Sequence, residues 1–264
     1  GFKLKGTGPI QYHLGMDFYR DNDGVLCLSP KKYIERMMIT YEHMFGCKPP
    51  HNVMSPIEPN DHPELDESDL LDEEDMQKYQ SFIGSMQWAI SIGRMDIATA
   101  VMTLSSFRVA PRKGHLDRAK RIYSYLGKFK DSNIRIRTEE PDYSDLPIPT
   151  YDWMYTVYGK GQEIIDKDIP APRGKPVVLT HYLDANLYHD MLNGKSVTGI
   201  LHILNQTPID WFSKKQATPE TATYGAEFVA SKTCVEQVSE IRQTLRYLGV
   251  PIKGKSYMFG DNQS

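Results

Sequence analysis

The segment from Val177 to Asp261 carries the pattern that most restricts the fold of this 264-residue chain. Apolar runs predict four strands, and an apolar stripe at helical spacing predicts one long helix; the strands span 177–184, 196–204, 207–213 and 257–261, and the helix spans 219–248. Asn205-Gln206 predicts a tight turn between the second and third strands. Three consecutive strands, a covering helix and a further strand predict a mixed sheet of the α/β class, in a chain that is α+β overall.

Three acidic residues lie at distinctive places in this pattern. Asp184 ends the first predicted strand, Asp261 ends the last one, and Glu227 lies within the helical pattern. Carboxylates from two strand ends and a helix can converge on one point and hold hard divalent cations through oxygen. We therefore predict that all three are metal ligands and catalytic residues in phosphodiester chemistry, with the two aspartates on adjacent parallel strands. The alternative for each acid is an ordinary solvated carboxylate, because the chain has 34 acidic residues.

Composition limits the classes of protein to which the chain can belong. A hydrophobic content of 40% supplies a core for one large or two ordinary domains. The net charge of -3 means that any surface for a polyanion must be local. Cys27, Cys47 and Cys234 have no metal-binding spacing, so we expect an intracellular setting and no zinc site. The sequence has no signal peptide and no apolar run of membrane length, so we expect no membrane partner.

The first half of the chain predicts a hairpin followed by a helical unit. The hairpin has a continuous strand over 10–18, a turn at Asn22–Gly24 and a returning strand, and a helix follows it as far as Gly46. The acidic stretch 49–74 predicts an exposed loop, and three helical patterns come after it. We divide the chain into three parts: 1–137, a connection over 138–176 in which Tyr151–Tyr155 predicts a hairpin, and 177–264.

Short motifs in the second half resemble the ribonuclease H domain of copia-type retrotransposon polyproteins. That family reads DAD, STSG, PISWKSKKQ, EAEY and DNQS in this order. The corresponding segments here are Asp184–Asn186, Ser196–Gly199, Thr207–Gln216, Ala226–Phe228 and Asp261–Ser264. Segments in the first half, such as Leu28–Ile34 and Ala119–Leu126, resemble the family's LSQxKYI and AKRVLRYL. The resemblance covers nearly the whole chain apart from the connection.

The resemblance implies a primer-gripping hairpin and helical thumb from a reverse transcriptase, joined to a ribonuclease H-like domain. It implies cleavage of the RNA strand of an RNA–DNA hybrid by two Mg²⁺ ions about 4 Å apart, with Mn²⁺ as an alternative and no small-molecule cofactor. Asp184 would bridge the two ions, and Glu227 and Asp261 would each complete one of them. The implied partners are a hybrid or template–primer duplex and the rest of the polyprotein. The implied location is cytoplasmic, in a virus-like particle, or nuclear.

Some residues depart from the family pattern. Asn186 replaces the second acid of DAD, although Asp190 keeps a later one, and Gly225 replaces the first acid of EAEY. In the family, the polymerase YVDD motif lies upstream of the segment at Gly1, and a fourth carboxylate follows DNQS. We therefore expect a fragment of a larger polypeptide that does not polymerise. It should cleave hybrid weakly or not at all, and adding the next stretch should restore cleavage.

A cluster of basic residues forms a second candidate site. The cluster lies in one short helical region with Asp117 as the opposing acid, and it consists of Arg112, Lys113, Arg118, Lys120, Arg121, Lys128 and Lys130. In the family this region is the thumb that follows the duplex, so we predict sequence-independent phosphate contacts there. Lys214 and Lys215, near the end of the third strand, are further candidates for substrate contact. The alternatives are a solvated helix face and a charged edge strand.

Two other classes of function remain open. In the first, the chain is a non-catalytic nucleic-acid-binding module, in which the thumb binds duplex and the nuclease lobe is inert. In the second, it is a decayed or domesticated element that has a structural or interaction role. Mg²⁺-dependent cleavage separates the enzyme from the first alternative, and absence of hybrid affinity would favour the second.

Overall fold

A computed structural model of the chain describes residues 8–50, 52–146 and 163–261. Within these ranges the chain forms five α-helices and two four-stranded sheets. The predicted α+β class is therefore confirmed. None of the helices in the described ranges is long and apolar enough to cross a lipid bilayer.

The first sheet is antiparallel and has the order β1-β2-β3-β4. Its strands are β1 (Tyr12–His13), β2 (Met16–Arg20), β3 (Leu26–Ser29) and β4 (Ile134–Arg135). The predicted hairpin turn is confirmed, since Arg20 pairs with Leu26 on either side of it. The prediction of a continuous strand over 10–18 is wrong. Leu14 and Gly15 take left-handed backbone angles, with φ of 50° and 94°, and turn the chain between β1 and β2.

Four helices pack into one hydrophobic core beside this sheet. They are α1 (Lys31–Phe45), α2 (Glu73–Ser91), α3 (Ala98–Ser105) and α4 (Lys113–Lys128). Gly46 ends α1 in a left-handed conformation, with φ of 68°, as the sequence predicted. The core residues share helical spacing within each helix, and they include Ile34, Tyr41, Tyr79, Phe82, Val101, Leu104, Ile122 and Tyr123. The helical unit predicted in the first half is confirmed.

The acidic segment, defined here as residues 52–72, packs along α4. The backbone carbonyl of Pro63, which is buried, accepts a hydrogen bond from Nε2 of His115 at 2.8 Å. The backbone amide of Leu71 donates to the carbonyl of Pro111 at 2.9 Å. The predicted loop is observed, but the expectation that it is exposed is wrong for the residues that pack on α4, such as Asp61, Pro63 and Asp66. Four of its acids pair with basic side chains of α4, and local polarity in the sequence does not reveal such long-range pairing; they are Glu58, Asp61, Asp66 and Asp69.

The second sheet is mixed and has the order β7-β6-β5-β8. Its strands are β5 (Leu179–Asp190), β6 (Lys195–Leu204), β7 (Thr207–Lys215) and β8 (Tyr257–Phe259). The strands β5, β6 and β7 form an antiparallel meander, and β8 pairs parallel to β5. Asn205 has φ of 55° in the predicted tight turn between β6 and β7. The strand β5 continues beyond its predicted end because Asn186 pairs with Val197 of β6.

The helix α5 (Thr223–Tyr247) covers one face of the second sheet. Its buried stripe packs on Leu183, Ala185 and Ile200, and the stripe consists of Ala226, Ala230, Cys234 and Val238. The helix begins four residues later than the predicted 219. The chain leaves β7 at the edge of the sheet and is still extended at Ala222, with φ of -140° and ψ of 150°. It therefore crosses toward β6 and β5 before it becomes helical.

The helical unit and the second sheet contact each other through α3 and β7. The hydroxyls of Thr99 and Ser213 lie 3.3 Å apart, and the hydroxyl of Thr103 lies 3.2 Å from Nε2 of His189. Part of the connection packs on the second sheet, where Tyr143 and Thr180 share a 2.8 Å hydrogen bond. The domain boundaries stay a prediction, and the hairpin predicted at Tyr151–Tyr155 lies outside the described residues.

Two buried histidines face each other beneath α5. The Nδ1 atoms of His181 and His202 lie 2.7 Å apart, and Nε2 of His202 lies 3.0 Å from Oε1 of Gln237. Because Gln237 Oε1 can only accept, His202 donates from Nε2, and His181 donates from Nδ1 to His202. Burial lowers the pKa of His181 to about 4, with further contributions from His202 and Arg242.

This histidine pair should make the stability of the chain depend on pH. The unfolded chain binds a proton at His181 below a pKa of about 6.5, whereas the folded chain resists it until about pH 4. The contribution is therefore fully present above pH 6.5 and is lost as pH falls toward 4. We expect a loss of about 3 kcal/mol in the free energy of unfolding across this window.

Urea unfolding at a series of pH values measures this loss. His181→Leu should flatten the dependence between pH 6.5 and 4, whereas His13→Gln, at an exposed position in β1, should leave it unchanged. An equally steep dependence in His181→Leu would contradict the assignment.

Candidate metal centre and nucleic-acid interface

The structure brings Asp184, Glu227 and Asp261 together at one edge of the second sheet. One oxygen from each carboxylate lies within 4.8 Å of the others. Asp184 and Asp261 are exposed, and Glu227 is partly buried. The predicted convergence of the three acids is therefore observed. Their role as metal ligands stays a prediction.

The parallel pairing of β5 and β8 explains why the two aspartates meet. Tyr182 pairs with Phe259, and two further steps along both strands bring Asp184 level with Asp261. The expectation of adjacent parallel strands is confirmed. The expectation that both aspartates end their strands is wrong, because β5 continues past Asp184 to Asp190 and Asp261 lies two residues after the end of β8. The acids meet because of register, whereas the sequence pattern suggested that both strands end at the same place.

Glu227 reaches the aspartates from the second turn of α5. Its Oε1 accepts a hydrogen bond from the backbone amide of Ala185 at 3.2 Å, so the helix is tied to the strand next to Asp184. Burial raises the pKa of Glu227; the Ala185 amide lowers it, and the charges of Asp184 and Asp261 raise it further. Clustered carboxylates that resist ionisation together favour a bound cation. The three ligand atoms are all oxygens, which suits Mg²⁺ or Mn²⁺.

One of the three acids, Asp184, lines a cavity. The cavity has a volume of about 320 Å³ and lies between α3 and the strands β5, β6 and β7. Its lining combines apolar, aromatic and polar side chains, among them Met95, Thr99, Tyr182, Asp184, Trp211 and Ser213. Asp184 thus borders a space shared by the helical unit and the second sheet.

Most of the predicted basic residues on α4 already have partners within the chain. Arg118 donates from Nε and Nη2 to Asp61 at 2.7–3.0 Å and from Nη1 to Asp66 at 2.5 Å. Burial would raise the pKa of Asp66, but hydrogen bonds from Ser68 and Arg118 lower it to about 2. The other pairs with the acidic segment are Arg121 with Glu58, Lys113 with Asp69, and Arg112 with the Ser68 carbonyl. Asp117 is therefore not the sole acid that opposes the cluster, because the acidic segment supplies others.

The remaining basic candidates differ in their surroundings. Lys120 lies 3.4 Å from Asp117 with its ammonium group 4.7 Å from the centre of the Phe45 ring. Lys130 pairs with Glu35 at 3.1 Å. Lys128 and Lys214 are exposed and have no ion pair with an acid in the described ranges. That these side chains bind nucleic acid stays a prediction.

Lys215 and Asp190 form a structural ion pair. Nζ of Lys215 lies 2.5 Å from Oδ2 of Asp190, whose side chain is almost fully buried. Burial would raise the pKa of Asp190, but hydrogen bonds from Lys215 and Asn193 lower it to about 2. Lys215 therefore holds the end of β5, and Asp190 does not join the three acids.

Two features of this region were not predicted from the sequence. The Ala185 amide that holds Glu227 left no signal, because a backbone donor does not depend on residue type. The pairing of the acidic segment with the basic cluster did have a sequence signal, since an acidic stretch and a basic cluster in one chain can neutralise each other. Asp61 and Arg118 are 57 residues apart, so patterns within a short window of sequence could not predict that they pair.

Comparisons with known proteins agree with the motifs. The chain is 27% identical over 270 residues to a retrovirus-related Pol polyprotein from transposon TNT 1-94 of Nicotiana tabacum. It is 25% identical over 261 residues to a retrovirus-related Pol polyprotein from transposon RE1 of Arabidopsis thaliana. It is also 24% identical over 248 residues to a putative transposon Ty5-1 protein of Saccharomyces cerevisiae. No family model matches the chain, and no solved structure matches it.

The similarity covers nearly the whole chain but a small part of the plant relatives. The alignments include 100%, 99% and 89% of this chain, and 17%, 15% and 64% of the tobacco, Arabidopsis and yeast proteins, respectively. The chain is therefore similar over its length to one segment of retrotransposon Pol polyproteins. The resemblance to copia-type retrotransposon polyproteins that its motifs predicted is confirmed.

Proposed function

We propose that this segment of a retrotransposon Pol polyprotein carries a ribonuclease H-type site that hydrolyses the RNA strand of an RNA–DNA hybrid. The observation that carries the proposal is the meeting of three carboxylates, from β5, α5 and the end of β8, within 4.8 Å of one another. An ordinary solvated acid needs no such partners. The motif order around the same three residues supports the proposal independently.

Each acid has a distinct task in the proposed site. Asp184, Glu227 and Asp261 would hold the cations through their carboxylate oxygens, with Asp184 as the shared ligand. Two Mg²⁺ ions held there would supply the charge that activates a water and stabilises the leaving 3′ oxygen. The Ala185 amide orients the Glu227 carboxylate through a 3.2 Å hydrogen bond to Oε1. Hydrolysis breaks the phosphorus–O3′ bond and leaves a 3′-hydroxyl and a 5′-phosphate.

Recognition of the hybrid would depend on shape and backbone contacts. Hybrids have an A-like form with 2′-hydroxyls on one strand, and proteins read these features without base sequence. Exposed Lys214, on β7, and exposed Lys128, on α4, are available for phosphates on the two parts of the chain. Other polyprotein segments would supply the remaining contacts and would set the compartment in which cleavage occurs.

A panel of substrates tests the proposal. We expect Mg²⁺-dependent cleavage of the RNA strand in a hybrid, and little cleavage of duplex DNA, duplex RNA or single-stranded RNA of the same sequence. The assay should use both this chain and a version lengthened with native polyprotein sequence. Hybrid binding without cleavage in both would favour the non-catalytic binding module. Absence of both binding and cleavage would favour a structural role.

A further inference from the structure

Gln216 occupies a buried position directly after β7. Its residue is 6% exposed. The side-chain Nε2 donates two hydrogen bonds, to the Thr198 hydroxyl at 3.0 Å and to the Ala226 carbonyl at 2.9 Å. Its backbone amide donates to the Ser196 carbonyl at 2.8 Å. One side chain therefore links β6 to the first turn of α5.

These bonds close a ring around Glu227. Ala226 precedes Glu227 in α5, and Thr198 pairs with Ala185 between β6 and β5. The Ala185 amide in turn donates to Glu227. Gln216 thus ties the backbone before Glu227 to Thr198, and the partner of Thr198 across the sheet, Ala185, binds the Glu227 carboxylate.

The first turn of α5 lacks the usual side-chain cap in the described part of the chain. Its N-cap residue, Ala222, provides no side-chain hydrogen bond to the helix in the described part of the chain. Serine, threonine, asparagine or aspartate usually holds the first turn at this position. Gln216 does not replace this cap, because its amide donates to the Ala226 carbonyl; it gives the uncapped turn a separate tie to β6.

Packing alone does not explain a glutamine here. Oε1 of Gln216 is buried and has no hydrogen-bond partner among the described residues. An unpaired buried acceptor is unfavourable, and an apolar side chain of similar size would avoid it. The two donated bonds are what a glutamine adds over methionine.

We propose that Gln216 is a positioning residue for the metal centre. It holds Glu227 at the distance from Asp184 that a divalent cation requires. The inference rests on the proposed function. Residues that orient metal ligands change metal affinity by about 10–100-fold when they are replaced.

Gln216→Met tests the proposal, with Gln237→Met as the matched control. Gln237 also anchors α5 to the sheet through His202, but it lies about 15 Å along the helix from Glu227. We expect Gln216→Met to weaken Mn²⁺ binding at least about 10-fold, with the same number of ions bound at saturation. Gln237→Met should bind Mn²⁺ as the unsubstituted chain does. Electron paramagnetic resonance of free Mn²⁺ measures both, and circular dichroism confirms folding.

A second variant keeps the test informative if Gln216→Met does not fold. Thr198→Val removes one acceptor of the Gln216 amide at nearly constant volume, and it should also weaken Mn²⁺ binding. Unchanged affinity in both variants, or equal weakening in Gln237→Met, would overturn the positioning role. Absence of Mn²⁺ binding by the unsubstituted chain would instead overturn the proposed metal centre.

Discussion

Replacing Asp184 by asparagine is expected to weaken Mn²⁺ and Mg²⁺ binding by more than about 100-fold, because the change removes charge from a direct ligand and so exceeds the effect of an orienting residue. A carboxylate oxygen of Asp184 lies within 4.8 Å of carboxylate oxygens of both Glu227 and Asp261. Asparagine preserves the size of the side chain, so the fold of β5 should survive. Hybrid cleavage should be abolished together with metal binding.

Glu220→Gln is the matched control for this prediction. Glu220 precedes α5 in the same region of the chain, and its Oε1 contacts the Thr218 hydroxyl at 3.2 Å. It does not belong to the group of three acids. Calorimetric titration with Mn²⁺ should show binding for Glu220→Gln and none for Asp184→Asn. Equal binding by the two variants would place the metal elsewhere.

Replacing Arg118 by methionine is expected to destabilise the chain by about 3 kcal/mol, since it leaves two poorly exposed carboxylates without their partner. The side chains of Asp61 and Asp66 are 13% and 9% exposed, respectively. For a protein of this size the melting temperature should fall by roughly 6–12 °C. The prediction gives Arg118 a structural task, in contrast to the phosphate contact expected from the sequence.

Thermal unfolding of three variants separates these two tasks. Lys128→Met removes a cation from the same helix, α4, at an exposed position, and it should change stability little. Adding Asp61→Asn and Asp66→Asn to Arg118→Met should recover much of the lost stability. An Arg118→Met chain of normal stability that binds hybrid with a weaker salt dependence would support the phosphate contact instead.

Local patterns predicted most of the elements in this fold. Alternation and helical spacing predicted β6, β7 and α1 close to their observed bounds, and they predicted that three more helices follow, because each element buries one face within its own length. The same patterns failed where distant residues decide. The strand β5 extends past Asp184 because β6 supplies partners, and the acidic segment packs on α4 because Asp61 meets Arg118 across 57 residues.

The three acids of the candidate site could be predicted from the sequence, but the groups that position them could not. Strand-end and helix positions pointed to Asp184, Glu227 and Asp261, since charged residues beside apolar runs stand out. Gln216 and the Ala185 amide act through hydrogen bonds that depend on register between strands and on where α5 begins. Residue spacing alone predicts neither the register between strands nor the residue at which α5 begins.

A crystal soaked in Mn²⁺ tests the metal centre most directly, because anomalous scattering locates each ion without reference to activity. We expect at least one strong peak within about 2.5 Å of carboxylate oxygens from both Asp184 and Glu227, with Asp261 completing the group. The peak should vanish in crystals of Asp184→Asn. A Mn²⁺ peak bound away from these three acids, or an undiminished peak in Asp184→Asn, would contradict the proposed nuclease site.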